Sequence, residues 1–275
     1  MKTVCNVCPH RCKLNEGQLG LCNGRICRDG NVISENYGRI TSMALDPIEK
    51  KPLYHFYPGT RILSVGSYGC NLRCPWCQNH DISMVKGTEV DYGNTTVNAL
   101  INQAYELKGR GNIGIAYTYN EPLIGYEFVR DCSTLAKERG LKNVVVTGGY
   151  ICDEPLRELL PLVDAFNIDL KGFTQDFYKR LKGDLETVKS TIAIVAKQCH
   201  VEVTTLIIPG ENDSEEEMDA LSSWLYSISP DIPFHVSRFF PRWRMQDKEA
   251  TPVETIYRLA ALARGKLKHV YEGNC

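Results

Sequence analysis

Neither sign of charge dominates this chain: 32 Lys and Arg stand against 33 Asp and Glu over 275 residues, a formal net charge of -1. Without a basic excess there is no electrostatic footprint for nucleic acid or for an anionic membrane surface, and neither is expected as a partner. No uninterrupted apolar run is long enough to cross a bilayer. The first residues, Met1-Lys2-Thr3-Val4-Cys5, lead into polar residues and more cysteines, so the apolar stretch of a signal peptide is absent. A cytoplasmic protein is expected, acting on a small molecule or on another protein.

What the chain has in quantity is cysteine. Twelve thiols in a reducing compartment favour metal ligation over disulfides. The most informative group is Cys70-Asn71-Leu72-Arg73-Cys74-Pro75-Trp76-Cys77, set directly after the apolar run Arg61-Ile62-Leu63-Ser64-Val65-Gly66. Thiolates are soft ligands that select zinc, copper(I) or iron-sulfur clusters, and a closed zinc or cluster site uses four protein ligands. This loop supplies three. A [4Fe-4S] cluster held by three cysteines keeps one iron free for a small molecule, so the loop reads as a reactive centre. The alternatives are a zinc site completed from elsewhere, or a disulfide with a spare thiol.

Residues 5 to 37 are dense in cysteine, glycine and charge and carry little periodicity. Cys5, Cys8, Cys12 and Cys22 offer four thiols, with His10 and Cys27 as further candidates. Four such ligands close a zinc site or hold a second [4Fe-4S] cluster, and a segment with so little apolar surface needs a cross-link or metal to order it. The expected division is a cysteine-rich module (1–37), a proline-broken connector (38–60) and a main domain (61–275). In the connector, Tyr54, His55 and Tyr57 are possible site residues, with packing or exposure as the alternative.

After Arg61 short β-branched runs alternate with amphipathic segments, the rhythm of βα units and a parallel sheet. Strands are expected near 62–66, 113–118, 144–147, 166–170, 201–208 and 234–239, with a short seventh near 269–271. Helices are expected over 95–108, 123–139, 214–228 and 252–264. The fold class is α/β, and six such units are too few for a closed eightfold barrel. In a barrel, reactive groups belong at the carboxyl ends of strands. Those ends carry the cysteine loop, Thr118-Tyr119-Asn120-Glu121, Thr147-Gly148-Gly149, and Asp169-Leu170-Lys171. Asp169 and Lys171 share one side by the period-two rule. Three arginines interleaved with aromatics, Arg238 to Arg244, suit a substrate carboxylate or a partner-protein surface, with RNA as a weaker reading. His235 is a candidate proton donor, or a hydrogen-bonded barrel histidine.

The Cys-x3-Cys-x2-Cys loop, with an aromatic before its last cysteine, resembles the signature of the radical S-adenosylmethionine (SAM) superfamily. That resemblance implies a partial (βα)6 TIM-type barrel whose [4Fe-4S] cluster is held by Cys70, Cys74 and Cys77. Its open iron would chelate SAM, and reductive cleavage would give a 5'-deoxyadenosyl radical that abstracts hydrogen. It also implies that Trp76 lies near the adenine and that Glu121, with Asn120, occupies the place of the turn that grips SAM's amino group. Thr147 belongs to the third-strand motif, and Ile208 ends the fifth strand, which packs against adenine. The Asp169-Leu170-Lys171 stretch is similar to one in pyruvate formate-lyase activating enzymes, which implies that Lys171 contacts SAM and Asp169 its polar surroundings.

Two positions depart from that group: Val146 stands where it has a carboxylate, and Arg242-Trp243 where it has a histidine. The N-terminal Cys-x2-Cys-x3-Cys module, the Asp46 to Phe56 stretch, Tyr119 to Pro122 and Arg238 to Pro241 instead resemble the AmmeMemoRadiSam system radical SAM enzymes over nearly the whole chain. An enzyme of this kind would need a low-potential electron donor such as flavodoxin or ferredoxin. Its substrate would be a small molecule or, in a glycyl-radical activase, a backbone glycine. A metal-binding scaffold or electron carrier without SAM chemistry is the alternative from another class.

Overall fold

The structure, a computed structural model, describes residues 2–275. Its centre is one eight-stranded sheet in which every strand lies beside its neighbour in sequence. In chain order the strands are β1 (Ser42–Pro47), β2 (Arg61–Gly66), β3 (Asn112–Tyr117), β4 (Lys142–Thr147), β5 (Ala165–Asp169), β6 (His200–Ile207), β7 (Phe234–Arg238) and β8 (Val270–Gly273). β2 to β8 pair in parallel. β1 is antiparallel to β2, from Ser42 opposite Gly66 to Pro47 opposite Arg61. The two edges, β1 and β8, do not pair, so the barrel is open. This is the partial TIM-type barrel expected.

Part of the proline-broken connector is regular structure: residues 42–47 extend the sheet as an edge strand, a place where Pro47 is tolerated because it need not donate to a second neighbour. The seventh parallel strand is real, and the six expected earlier match to within two residues at each end. Helices cross between strands as the pattern requires. That of Glu215–Ile228 starts at Ser214, whose side chain accepts from the Glu217 backbone N–H, with Glu215, Glu216 and Glu217 in its first turn. Cap and acids both answer the unpaired N–H groups of a helix start. Met218, Leu221 and Leu225 form its buried stripe.

The N-terminal module is two antiparallel ladders, Thr3–Val4 with Lys13–Leu14 and Arg25–Arg28 with Asn31–Ser34. It packs on the carboxyl end of β2 and is tied there by polar bonds. The Asn36 amide donates to Tyr68 O at 2.9 Å, and Arg25 forms a two-pronged bond to Glu127 at 2.7 and 2.8 Å. No helix among the described residues is long and apolar enough to cross a membrane.

Candidate active site

A cavity of about 300 Å³ opens at the carboxyl ends of the strands. Its wall contains the cluster-loop residues Cys70, Cys74, Trp76 and Cys77 and, from the ends of β3, β4 and β5, Asn120, Glu121, Thr147, Asp169 and Lys171. All twelve cysteines are free thiols, so the disulfide reading of this loop falls away. Ile208 is not on the wall. It is fully buried, and Thr204 and Leu206 of the same strand face the cavity instead.

The cluster loop is held in place almost entirely by backbone-directed bonds. The Cys77 N–H donates to Cys74 O at 3.2 Å, and the Leu72 N–H points to Cys70 Sγ at 3.4 Å. Arg73 donates to Cys70 O at 2.6 Å. Burial pushes the Cys74 thiol up to about 12, against the pull of Lys171. The three thiols therefore share one buried wall with a lysine beside them, a donor set that fits a [4Fe-4S] cluster with a position left for a ligand.

The turn after β3 works differently from a simple grip on a ligand. Asn120 spends its whole amide on the chain leading into Cys70. Its Oδ1 accepts from the Ser67 N–H at 2.9 Å, and its Nδ2 donates to Tyr68 O and Gly69 O, each at 3.1 Å. Glu121 accepts from Thr147 Oγ1 at 2.6 Å, the Leu123 N–H at 3.1 Å and the Gly148 N–H at 2.8 Å. It is thus both a helix-start acceptor and a strut between β3 and β4. Burial raises its pKa, and those three bonds oppose the rise. A carboxylate has about four acceptor sites, so one remains on the cavity side. Thr147, in turn, accepts from the Gly149 N–H at 2.9 Å.

Tyr119, the residue before Asn120 in this turn, takes a backbone conformation that favours glycine, φ +69, a region that costs most residues. Its hydroxyl donates to Asp46 Oδ2 at 2.7 Å, and Lys51 sits 4.7 Å from its ring and 2.9 Å from Asp46. Burial would raise the Asp46 pKa, but Lys51 and Tyr119 hold it near 2. Of this trio Tyr119 lines the cavity, while Asp46 and Lys51 are buried off its wall. Gly66 makes room for the tyrosine, since a Cβ there would lie 2.8 Å from Tyr119 Cβ. Sequence reasoning placed Tyr119 at this strand end but gave neither it nor Lys51 a role; the signal available was a non-glycine at a turn position with positive φ.

Asp169 and Lys171 pair at 2.7 Å, and both line the cavity. Burial disfavours the charge on Lys171, yet Asp169 overcomes it and raises the lysine's pKa. Trp76 packs on Phe177, with ring centroids 5.6 Å apart. Val146 lines the wall where a carboxylate was looked for, so β4 offers no oxygen ligand there.

The two histidines offered as site candidates, His235 and His55, take the alternative roles given for them. His235 is bound to Glu202 at 2.7 Å, is buried, and takes the barrel role. His55 meets Tyr271 Oη at 2.5 Å, away from the cavity. The Arg-aromatic stretch docks beside the cluster loop: the Arg244 N–H donates to Pro75 O at 3.0 Å, and Trp243 stacks on His80 at 5.4 Å.

The Radical SAM superfamily model matches residues 64–221, which take in the cysteine loop and the ends of β2 to β6. The chain belongs to the radical SAM superfamily. As a radical SAM enzyme it uses a [4Fe-4S] cluster and SAM, and the thiol wall and polar cavity described above fit both. It is 41% identical to the uncharacterized protein MJ0808 of Methanocaldococcus jannaschii, over 99% of this chain and 81% of that one. It is 23% identical to the pyruvate formate-lyase 1-activating enzyme of Escherichia coli K12, over 61% of this chain and 69% of that protein. A radical SAM methyltransferase from Sphaerobacter thermophilus shares the fold with TM-score 0.61 at 19% identity, covering 79% of this chain and 67% of that one.

Proposed function

We propose that this enzyme cleaves SAM reductively and uses the resulting 5'-deoxyadenosyl radical to take hydrogen from an uncharged group seated against Thr204, Leu206, Ser237 and Asn274. One observation carries the reading: the three thiols, the Asp169–Lys171 pair and Glu121 share a single cavity wall. Cys70, Cys74 and Cys77 hold the cluster, which when bound supplies the electron for the cleavage. Lys171 binds the carboxylate or ribose of SAM and is kept charged by Asp169. Glu121 offers its remaining acceptor site to the ammonium group in a charge-assisted bond. Trp76 stands beside the adenine. The rest of the wall, from β6 to the residue after β8, carries no ionisable side chain, which supports a substrate without charge at the reacting end.

Anaerobically reconstituted enzyme, given SAM and a chemical reductant, should release 5'-deoxyadenosine; a fully loaded enzyme that leaves SAM intact would sink the proposal. Lys171→Ala should weaken SAM binding about 10- to 100-fold, the worth of one hydrogen bond to a charged group at ~1.5–3 kcal/mol. Calorimetric titration with SAM measures it, and an unchanged affinity would remove Lys171 from the ligand. A glycyl-radical activase is the second reading, favoured by the similarity to activating enzymes. It predicts a protein-based radical signal in a partner, where the first predicts none. The electron donor, of flavodoxin or ferredoxin type, would meet the exposed Arg242 and Arg244, beside the cluster loop.

A further inference from the structure

The N-terminal module brings four thiols into one neighbourhood and presses them against the back of the cluster loop. Cys8 feels Cys5 and Cys22, and Cys22 feels Cys5 and Cys12. A Cβ placed on Gly20 would meet Cys12 Sγ and Cys22 Sγ at 3.8 Å each. The Cys5 N–H donates to Cys12 O at 2.9 Å, closing the first loop of the module. Cys5, Cys8 and Cys22 are buried and Cys12 half-buried. Cys27, the spare candidate, instead points to Glu16 at 3.9 Å, and His10 is bound to Asn71 O at 2.8 Å.

Burial raises the pKa of the Cys8 and Cys22 thiols, opposed at Cys8 by the His10 N–H and the Asn71 side chain and at Cys22 by the Gly24 N–H. Arg25 adds a second, independent observation. Its side chain is 5% exposed, and its two terminal nitrogens bond to Ile124 O, Val32 O and both oxygens of Glu127. That satisfies four of the five donors of a guanidinium. The fifth, Nε, is buried without a partner, and its group acts electrostatically on Cys5 and Cys22. A buried donor left unsatisfied costs about 1–3 kcal/mol, and an anionic sulfur-rich group beside it removes that cost.

We infer that Cys5, Cys8, Cys12 and Cys22 hold a second [4Fe-4S] cluster, all four irons ligated, with Arg25 balancing its charge. The thiols are neighbours, yet no three His, Cys, Asp or Glu side chains among the described residues gather where one ion could hold them. A single zinc with bonds of about 2.3 Å needs that convergence, whereas a cubane takes one thiolate at each of four separated irons. The two thiol groups are joined back to back: the Cys70 N–H donates to Cys22 O at 3.1 Å. Gly69, at φ +88, is free of a side chain where Cys22 O approaches.

The test uses the full chain and stands apart from the SAM reading, since it removes the first site. Cys70→Ala/Cys74→Ala/Cys77→Ala, reconstituted anaerobically with iron and sulfide, should keep about four irons per chain. On reduction it should give the paramagnetic signal of a reduced cubane that SAM does not perturb. The reciprocal variant, Cys5→Ser/Cys8→Ser/Cys12→Ser/Cys22→Ser, should lose about half the wild-type iron. One tightly held zinc in the first variant, or no retained metal while its circular dichroism stays native, would overturn the assignment.

Discussion

Replacing any one of Cys70, Cys74 or Cys77 with alanine is expected to cut 5'-deoxyadenosine formation to background while leaving the melting temperature within a few degrees. The effect is large because the ligand set has no reserve. The neighbours that face the same part of the cavity are Gln78, Asn79 and Ser83, neutral oxygen and nitrogen groups that are poor partners for iron-sulfur clusters. The fold should survive, because the loop's bonds run mainly through its backbone and through Arg73 and Asn120, not through the sulfurs. Product quantified by chromatography, beside iron content and a thermal melt, separates the two effects. Wild-type rates in a variant holding two of the three thiols would overturn the ligand assignment.

Glu202→Gln is expected to be among the most damaging single changes to stability, about 1–3 kcal/mol for each buried donor left without an acceptor. Glu202 is fully buried in β6, where its oxygens accept from four donors. They are His200 and His235 at 2.9 and 2.7 Å, and the Tyr54 and His55 N–H groups at 3.0 and 2.7 Å. A glutamine would turn an NH₂ toward donors and leave one end unpaired. Burial raises the pKa of this carboxyl, but the two histidines and the two N–H groups outweigh it and bring it down to about 2. The folded value lies below the ordinary one of about 4.3, so the stabilisation is full above that value and fades as pH falls toward 2. Denaturant melts should therefore show the wild-type advantage at pH 7 shrinking through pH 4 to 3. A gap that does not depend on pH would mean that the carboxylate's charge is not what holds this end of the barrel together.

That carboxylate also marks the limit of what could be read from residues alone. In the sequence, Glu202 is one acid inside a β-branched run, and His55, His200, His235 and His269 are scattered over more than two hundred positions. Parallel register places Thr204 opposite His235 and Phe234 opposite Val270, and only that stacking draws the histidines toward one acid. The same holds for Asp46 and Tyr119, 73 positions apart and bonded inside the barrel. Ile208 shows a different limit: the strand ends at Ile207, so the alternation that turns Thr204 and Leu206 to the cavity no longer governs Ile208, whose side chain is buried off the wall.

Local chemistry was legible because it is local. Thiol spacing in Cys70 to Cys77, the alternation of short β-branched runs with amphipathic helices, and the acid and base two apart in Asp169-Leu170-Lys171 are all set within a few residues, where backbone geometry fixes the outcome. The sequence by itself therefore determined the barrel and the superfamily, and it singled out the three thiols that the cavity wall brings together. The tertiary structure alone decided that Glu121 is a strut as well as a candidate ligand, that Asn120 serves the cysteine loop, and that the N-terminal thiols stand against Cys70. Those roles depend on which chain segments meet, and contacts made across the sheet leave no periodic trace in any one of them.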